Sequence, residues 1–357
     1  MAIRALARMY RPGERLFAFR LRRDNGKDVL EGASRRYTAI ALIGLAGEAQ
    51  ETIVAVLGDH SLDEICGRLL DHVEEFEDLG EVALTTWAAR RLDHPDVSKA
   101  IDRLRRMDPA NGSYPTVESS WALTALASDG SETTDMALAE AVAQRLLSSF
   151  NPQSSLFPHW PQGARPARLR GHVTCFADFV YPVQALSHYY LATGTDQAVE
   201  VARRCAQRMC QLQGTQGQWW WHFDVRTGRV VERFPVYSVH QDSMAPMAFS
   251  ALRRASGQDY SGAVKAGLRW LASSPEIKGS LIDRESDVVW RKVARHEPGK
   301  LVRGLQAAAS RLAPRLRVPG TDLLFRPGWI DYESRPYHMG WVLCAWPVER
   351  AAVVPQE

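Results

Sequence analysis

The groups best suited to chemistry gather in Val225 to Leu252 and the residues just before it. Trp219, Trp220, Trp221 and Phe223 follow a glycine turn, and His240-Gln-Asp-Ser243 then opens a helix of small residues. A carboxylate beside an imidazole suits general acid–base catalysis, so Asp242 and His240 are the first catalytic candidates. Aromatic faces suit the C–H side of a sugar ring, or a carbocation held by the ring quadrupole. Trp220, Trp221 and Tyr237 are therefore candidates for binding substrate. A plainer reading stands beside each. Asp242 or Ser243 could be an N-cap that satisfies free backbone N–H groups. Gln213 and Trp219 could simply tie one helical hairpin to the next.

A second dense run is Gly328 to Trp341, which carries Asp331, Glu333, Arg335, Tyr337 and His338 just before a final apolar helix. Such a run is costly to bury unless its groups are paired. It is either a solvated loop or the lip of a pocket. In the second case Glu333 and His338 join the catalytic set, and Arg335 and Tyr337 the binding set. His172 to Tyr181 forms a third candidate lip, with Asp178 at the head of another helix, where it would bind substrate or cap that helix. Because the runs around Asp242 and Glu333 each precede an apolar helix, they are expected to line one cavity. The stretch 157–170 reads as a long basic loop.

Other chemistries lack their signatures. There is no glycine-rich phosphate loop and no Asp-Asp-x-x-Asp run, and Ser243 lacks a Gly-x-Ser-x-Gly elbow. The five cysteines are scattered without a Cys-x2-Cys pair, so no metal and no cofactor is expected. The net charge of +3 gives no ground for a nucleic-acid partner. The 44 basic residues comprise six lysines and 38 arginines, and arginine suits planar contact with carboxylate or phosphate. Met1 to Arg23 is too charged for a signal peptide. No apolar run approaches the roughly 18 residues of a membrane span. A cytoplasmic chain is expected.

Helices must position these groups. Tyr37 to Ala46 is a small-residue apolar stretch, and Leu62 to Phe76 shows helical apolar spacing. Val82 to Arg91 pairs with Asp96 to Met107, Ser119 to Ala127 with Thr134 to Phe150, Phe179 to Ala192 with Asp196 to Leu212, and Gln241 to Ala255 with Tyr260 to Ser273. Two connections share wording: Ala-Thr-Gly-Thr-Asp at 192–196 and Ala-Ser-Gly-Gln-Asp at 255–259. Their glycines fit helix C-caps and their aspartates the next N-caps. Repeated hairpins bury their small-residue faces against neighbours, and a closed ring of them leaves no exposed ends.

The Gln213-x3-Gly217-x-Trp219 spacing and the repeated hairpins make residues 35–346 resemble the α/α-toroid superfamily. That superfamily includes terpenoid cyclases, protein prenyltransferase β subunits and carbohydrate-active toroids. His-Gln-Asp-x-Met-Ala-Pro and Arg-Pro-Tyr-His-x-Gly-Trp are similar to toroids of bacterial exopolysaccharide clusters. The resemblance implies an all-α toroid of about six hairpins over 36–350, with an N-terminal extension (1–35), a tail (351–357) and an active site in the mouth. Three functions follow. The first is acid–base chemistry of hydrolase, lyase or epimerase type on an oligosaccharide or other small molecule in cell-surface polysaccharide metabolism. The second is a terpenoid cyclase or isoprenoid-handling enzyme with Asp242 as the protonating acid. The third is a non-catalytic binding toroid. Protonating cyclases carry Asp-x-Asp-Asp where this chain has His240-Gln-Asp-Ser243, so two carboxylates are missing. The prenyltransferase zinc site needs an Asp-x-Cys pair that this chain lacks.

Overall fold

The computed structural model describes residues 1–128, 135–161 and 170–347. The basic stretch 162–169, Thr134 and the tail after residue 347 lie outside the described residues. The described residues form fifteen α-helices, and the structure is 54% helical. In chain order these are α1 (Ala2–Met9), α2 (Arg35–Leu45), α3 (Gln50–Leu57), α4 (Leu62–Asp71), α5 (Leu79–Arg91), α6 (Val97–Arg106), α7 (Thr116–Ala127) and α8 (Met136–Ser149). They continue as α9 (Ala177–Thr193), α10 (Asp196–Leu212), α11 (Ala245–Ser256), α12 (Ser261–Ala272), α13 (Leu301–Leu312), α14 (Thr321–Leu324) and α15 (Pro336–Ala345). None of the described helices is long and apolar enough to cross a membrane.

Two compact units share these helices. Among the described residues, the first comprises those of 1–108, 282–291 and 332–347, and the second those of 109–281 and 292–331. In the first, α2 packs on α5 and α15. In the second, α9 packs on α7, α10 and α11. Helices α2, α5, α7, α9 and α11 are buried almost all round, and their sequences are rich in Ala, Leu, Ser and Thr. Their hairpin partners α6, α8, α10 and α12 bury a single stripe, as a helix with one face to water must.

The predicted hairpins form with ends shifted by a few residues. Gly194 and Gly257 are the left-handed C-caps of α9 and α11, where a side chain would be strained. The aspartates sit slightly off the predicted N-cap. Thr195 caps α10 and Asp196 is its first residue, while Asp259 accepts from the Ser261 N–H beside α12. Among the described residues, short strands absent from the helical reading form five sheets of two or three strands. They are too short and weakly alternating to stand out in sequence.

In the first unit Gly44 of α2 and Gly340 of α15 let two backbones meet. A Cβ on Gly44 would overlap the Gly340 carbonyl oxygen, and one on Gly340 the Ile40 carbonyl oxygen. Backbone, unlike a flexible side chain, cannot swing aside. Gly44→Ala is therefore expected to cost about 1–3 kcal/mol in denaturant unfolding. An unchanged midpoint would show that the two helices slide apart freely.

The Gln213, Gly217 and Trp219 turn acts as a tie, as the plainer reading holds. Gln213 Nε2 donates to the carbonyls of Gly217 (2.6 Å) and Ala263 (2.9 Å). Gly217 has φ +96° and lies against the backbone of Ala266, which excludes a side chain. Trp219 is buried, and its backbone N–H donates to Gln241 Oε1 at 3.1 Å.

Candidate active site

The second unit gathers its polar and aromatic groups around the heads of α7, α9 and α11. The strand Val173–Cys175 pairs with His222–Asp224 and sets Cys175 opposite His222. The Phe176 N–H continues the contact by donating to the Trp221 carbonyl at 2.9 Å. Thr174 Oγ1 reaches back to the Phe157 carbonyl at 2.8 Å. The Thr116 N–H and hydroxyl hold the carbonyls of His159 and Pro158 at 3.0 and 2.6 Å. The loop at 157–159 is thereby pinned over α9, which carries Asp178 in its first turn.

Asp178 is fully buried. Its carboxylate accepts from Thr174 Oγ1 (3.0 Å) and the Cys175 N–H (2.8 Å) and lies 3.1 Å from His159 Nδ1. The buried carboxylate thus meets donors on several sides, as burial requires. The His159 side chain keeps 42% of its exposure, so a proton held there can reach solvent or a bound ligand. The Asp178 charge, helped by Glu118, raises the His159 pKa despite burial.

Aromatic rings gather beside this pair. Trp221 stacks on His222 at 4.6 Å and meets Tyr237 edge-on at 4.5 Å. Tyr237 lies 5.2 Å from the His240 ring, and Phe176 is 4.5 Å from the same ring. The Arg303 guanidinium sits 4.8 Å from the centre of Trp221, a cation–π contact. Burial, then the charges of Arg303, Arg170, His159 and His240, push His222 well below the usual histidine range. One imidazole is therefore pushed towards its charged form and another towards neutrality. Such divergence separates acid from base in an active site.

His240 to Met244 form a π-helical turn leading into α11. Asp242 is buried in it and is not an N-cap, because Val239 and Met244 hold the cap positions. Gln241 is a clamp: its Oε1 accepts from Trp219 and its Nε2 donates to the Tyr237 carbonyl at 3.0 Å. Single π-turns inside helices recur at functional sites.

The structure thus brings Trp221, Tyr237, His240 and Asp178 into one neighbourhood. Trp220 has different ring neighbours, Phe234 and the Arg233 guanidinium. Glu333, Arg335, Tyr337 and His338 belong to the first unit. There Glu333 accepts from Arg20 (2.9 Å) and Arg335 and pairs with Arg291 (3.1 Å). Burial raises its pKa, but Arg291, Arg335 and Arg20 outweigh that and leave it lowered. Arg335 also donates to the Tyr37 hydroxyl at 2.6 Å. The Tyr337 ring lies tilted 4.9 Å from that of Tyr37, and burial and Tyr37 push its pKa up to about 12. His338 is buried at the head of α15. Asp331, in the second unit, pairs with Lys292 at 3.0 Å. The run expected to be costly unless paired is indeed paired.

His159, His222 and Arg303 escape a reading of the sequence. His159 stands in a stretch that resembles an ordinary loop, and Arg303 is one arginine among many. The only available signal is His222 at the end of the tryptophan run. His159, Cys175 and Asp178 also form a possible metal-ligand group, with donor atoms within 4.8 Å of one another. Hydrogen bonds already occupy the Asp178 oxygens. Burial, then the Asp178 charge, push the Cys175 thiol well above its usual range.

The chain has the α/α-toroid fold. It is similar to an unsaturated glucuronyl hydrolase specific for heparin, with a TM-score of 0.62 and 13% identity over 96% of this chain and 92% of that one. It is also similar to a sugar epimerase from a ruminal bacterium, with a TM-score of 0.61 and 12% identity over 99% and 97% of the two chains. A further likeness is the unsaturated glucuronyl hydrolase of Bacillus sp. GL1, with a TM-score of 0.59 and 15% identity over 98% and 95%. No protein-family model and no curated protein matches the sequence.

Proposed function

We propose that this protein is a carbohydrate-active enzyme that moves protons at an oligosaccharide bound against Trp221. The observation that carries the reading is the half-open His159 imidazole held by the fully buried Asp178. His159 in its protonated form is the general acid, and Asp178 fixes its ring and stabilises its charge. His222, kept neutral, is the base. Trp221 and Tyr237 offer aromatic faces to a sugar ring. Buried carboxylates and imidazoles would quench a carbocation, so the polarity favours sugar over isoprenoid chemistry. The toroids of similar fold act on sugars by their names, which supports the same choice. The sequence resemblance to toroids of exopolysaccharide clusters supports a substrate among cell-surface glycans.

Two reaction types fit the acid–base pair, and separate observations favour each. The pairing of two imidazoles of opposite tendency favours proton transfer at carbon, as in epimerisation or elimination. Asp178 and Asp242, buried at the heads of the packed helices α9 and α11, favour glycoside cleavage. A panel of acidic and neutral oligosaccharides incubated in deuterated water, and separately in oxygen-18 water, distinguishes them. Epimerisation places deuterium on carbon. Elimination leaves an unsaturated product that absorbs in the ultraviolet. Hydrolysis places oxygen-18 at a new reducing end. If no sugar turns over, and none protects Trp221 fluorescence from quenching, the carbohydrate reading fails.

A further inference from the structure

Helix α13 presents its apolar residues to water. Leu301, Leu305 and Leu312 fall on one stripe of the helix and are exposed, with Gly304 also exposed between them. The buried side carries Gln306 and Ser310 among Val302, Ala307 and Ala309. A surface helix ordinarily does the reverse. Gln306 explains part of the inversion. It donates to the Val318 carbonyl (3.0 Å) and Thr321 Oγ1 (3.1 Å) and accepts from the Val318 N–H (3.1 Å). These bonds fold 313–321 back along α13 and bring α14 beside it. Three further leucines are thereby set out in solvent. Leu312 is 83% exposed, Leu323 74% and Leu324 78%, and Leu316 is exposed as well.

The charge around these leucines is mostly positive, although Glu297 accepts from the Val302 N–H at the head of α13. Between Lys300 and Trp329 stand six cations (Lys300, Arg303, Arg311, Arg315, Arg317 and Arg326) and a single carboxylate, Asp322. Asp322 is already bound to Arg295 at 2.8 Å. A second copy docking through this face would oppose like charges. Exposed leucines among arginines match an anionic bilayer, where the apolar side chains enter the acyl boundary and the cations meet phosphate.

We propose that the outer face of α13 with the segment through Arg326 is a membrane-docking surface for anionic lipid. It rests on no part of the catalytic reading. The test is sedimentation of the full chain with vesicles of phosphatidylcholine, with and without phosphatidylglycerol. Binding is expected only with the anionic lipid, and it is expected to be lost at about 1 M salt, where charges are screened within a few ångströms. Leu312→Asp combined with Leu323→Asp should weaken binding by about tenfold or more. Arg311→Glu with Arg315→Glu should weaken it independently and reduce its salt dependence. All four side chains are exposed, so melting temperatures should stay at the wild-type value. Failure of the wild type to sediment overturns the proposal, as does undiminished binding by both variants. A concentration-dependent dimer that the leucine variant dissolves, without vesicle binding, also overturns it and assigns the face to a second copy.

Discussion

Asp178→Asn is expected to lower turnover by roughly 100- to 10,000-fold, the scale for losing a general acid with its partner. The amide keeps the size of the carboxylate but removes the charge that raises the His159 pKa. An imidazole raised by a partner adds stability at pH below its unfolded value, and that contribution fades as pH rises through the folded value. The His159–Asp178 pair should therefore stabilise mildly acidic solutions, and the substitution should flatten the pH dependence in that window. In the wild type the alkaline limb of the rate profile should follow His159. In the variant both the residual limb and the His159 titration seen by NMR should move to lower pH. A buried amide beside Thr174 and Cys175 also disturbs their hydrogen bonds, so His159→Gln serves as a control that leaves Asp178 in place. If both variants fold and turn over normally, His159 and Asp178 form only a structural pair.

Asp242→Asn is expected to cost about 100-fold or more in turnover with little change in melting temperature. The side chain is buried in the π-helical turn and holds no cap position, so no helix end depends on its charge. Its neighbour His240 packs on Phe176, the residue that caps α9 two positions before Asp178. The turn and the α9 head therefore share one aromatic partition. A general acid or base at that partition loses its proton chemistry as the amide and keeps its shape. A variant that melts early yet turns over at the wild-type rate once folded would make Asp242 a packing residue.

Local grammar determined much of this protein. Small-residue helices, glycine C-caps at Gly194 and Gly257 and the turns between hairpins are short-range features, legible because each depends on a few adjacent residues. The tryptophan run and the His240 to Asp242 turn also stood out, since aromatic and titratable residues are seldom so dense without cause. Tertiary structure decided which of them meet. Asp178 looked like a helix-head residue until the Thr174 bond to Phe157 carried His159 over it, nineteen positions away in sequence. Arg303 acquired a role only when α13 laid it on Trp221. The plain neighbours changed meaning too. Gln241 became a clamp on Trp219, and Glu333 the centre of an arginine cluster. The physical reason is that a side chain's charge state and partners depend on burial and on groups distant in sequence. A pattern of adjacent letters records its own backbone preferences and is silent about those groups.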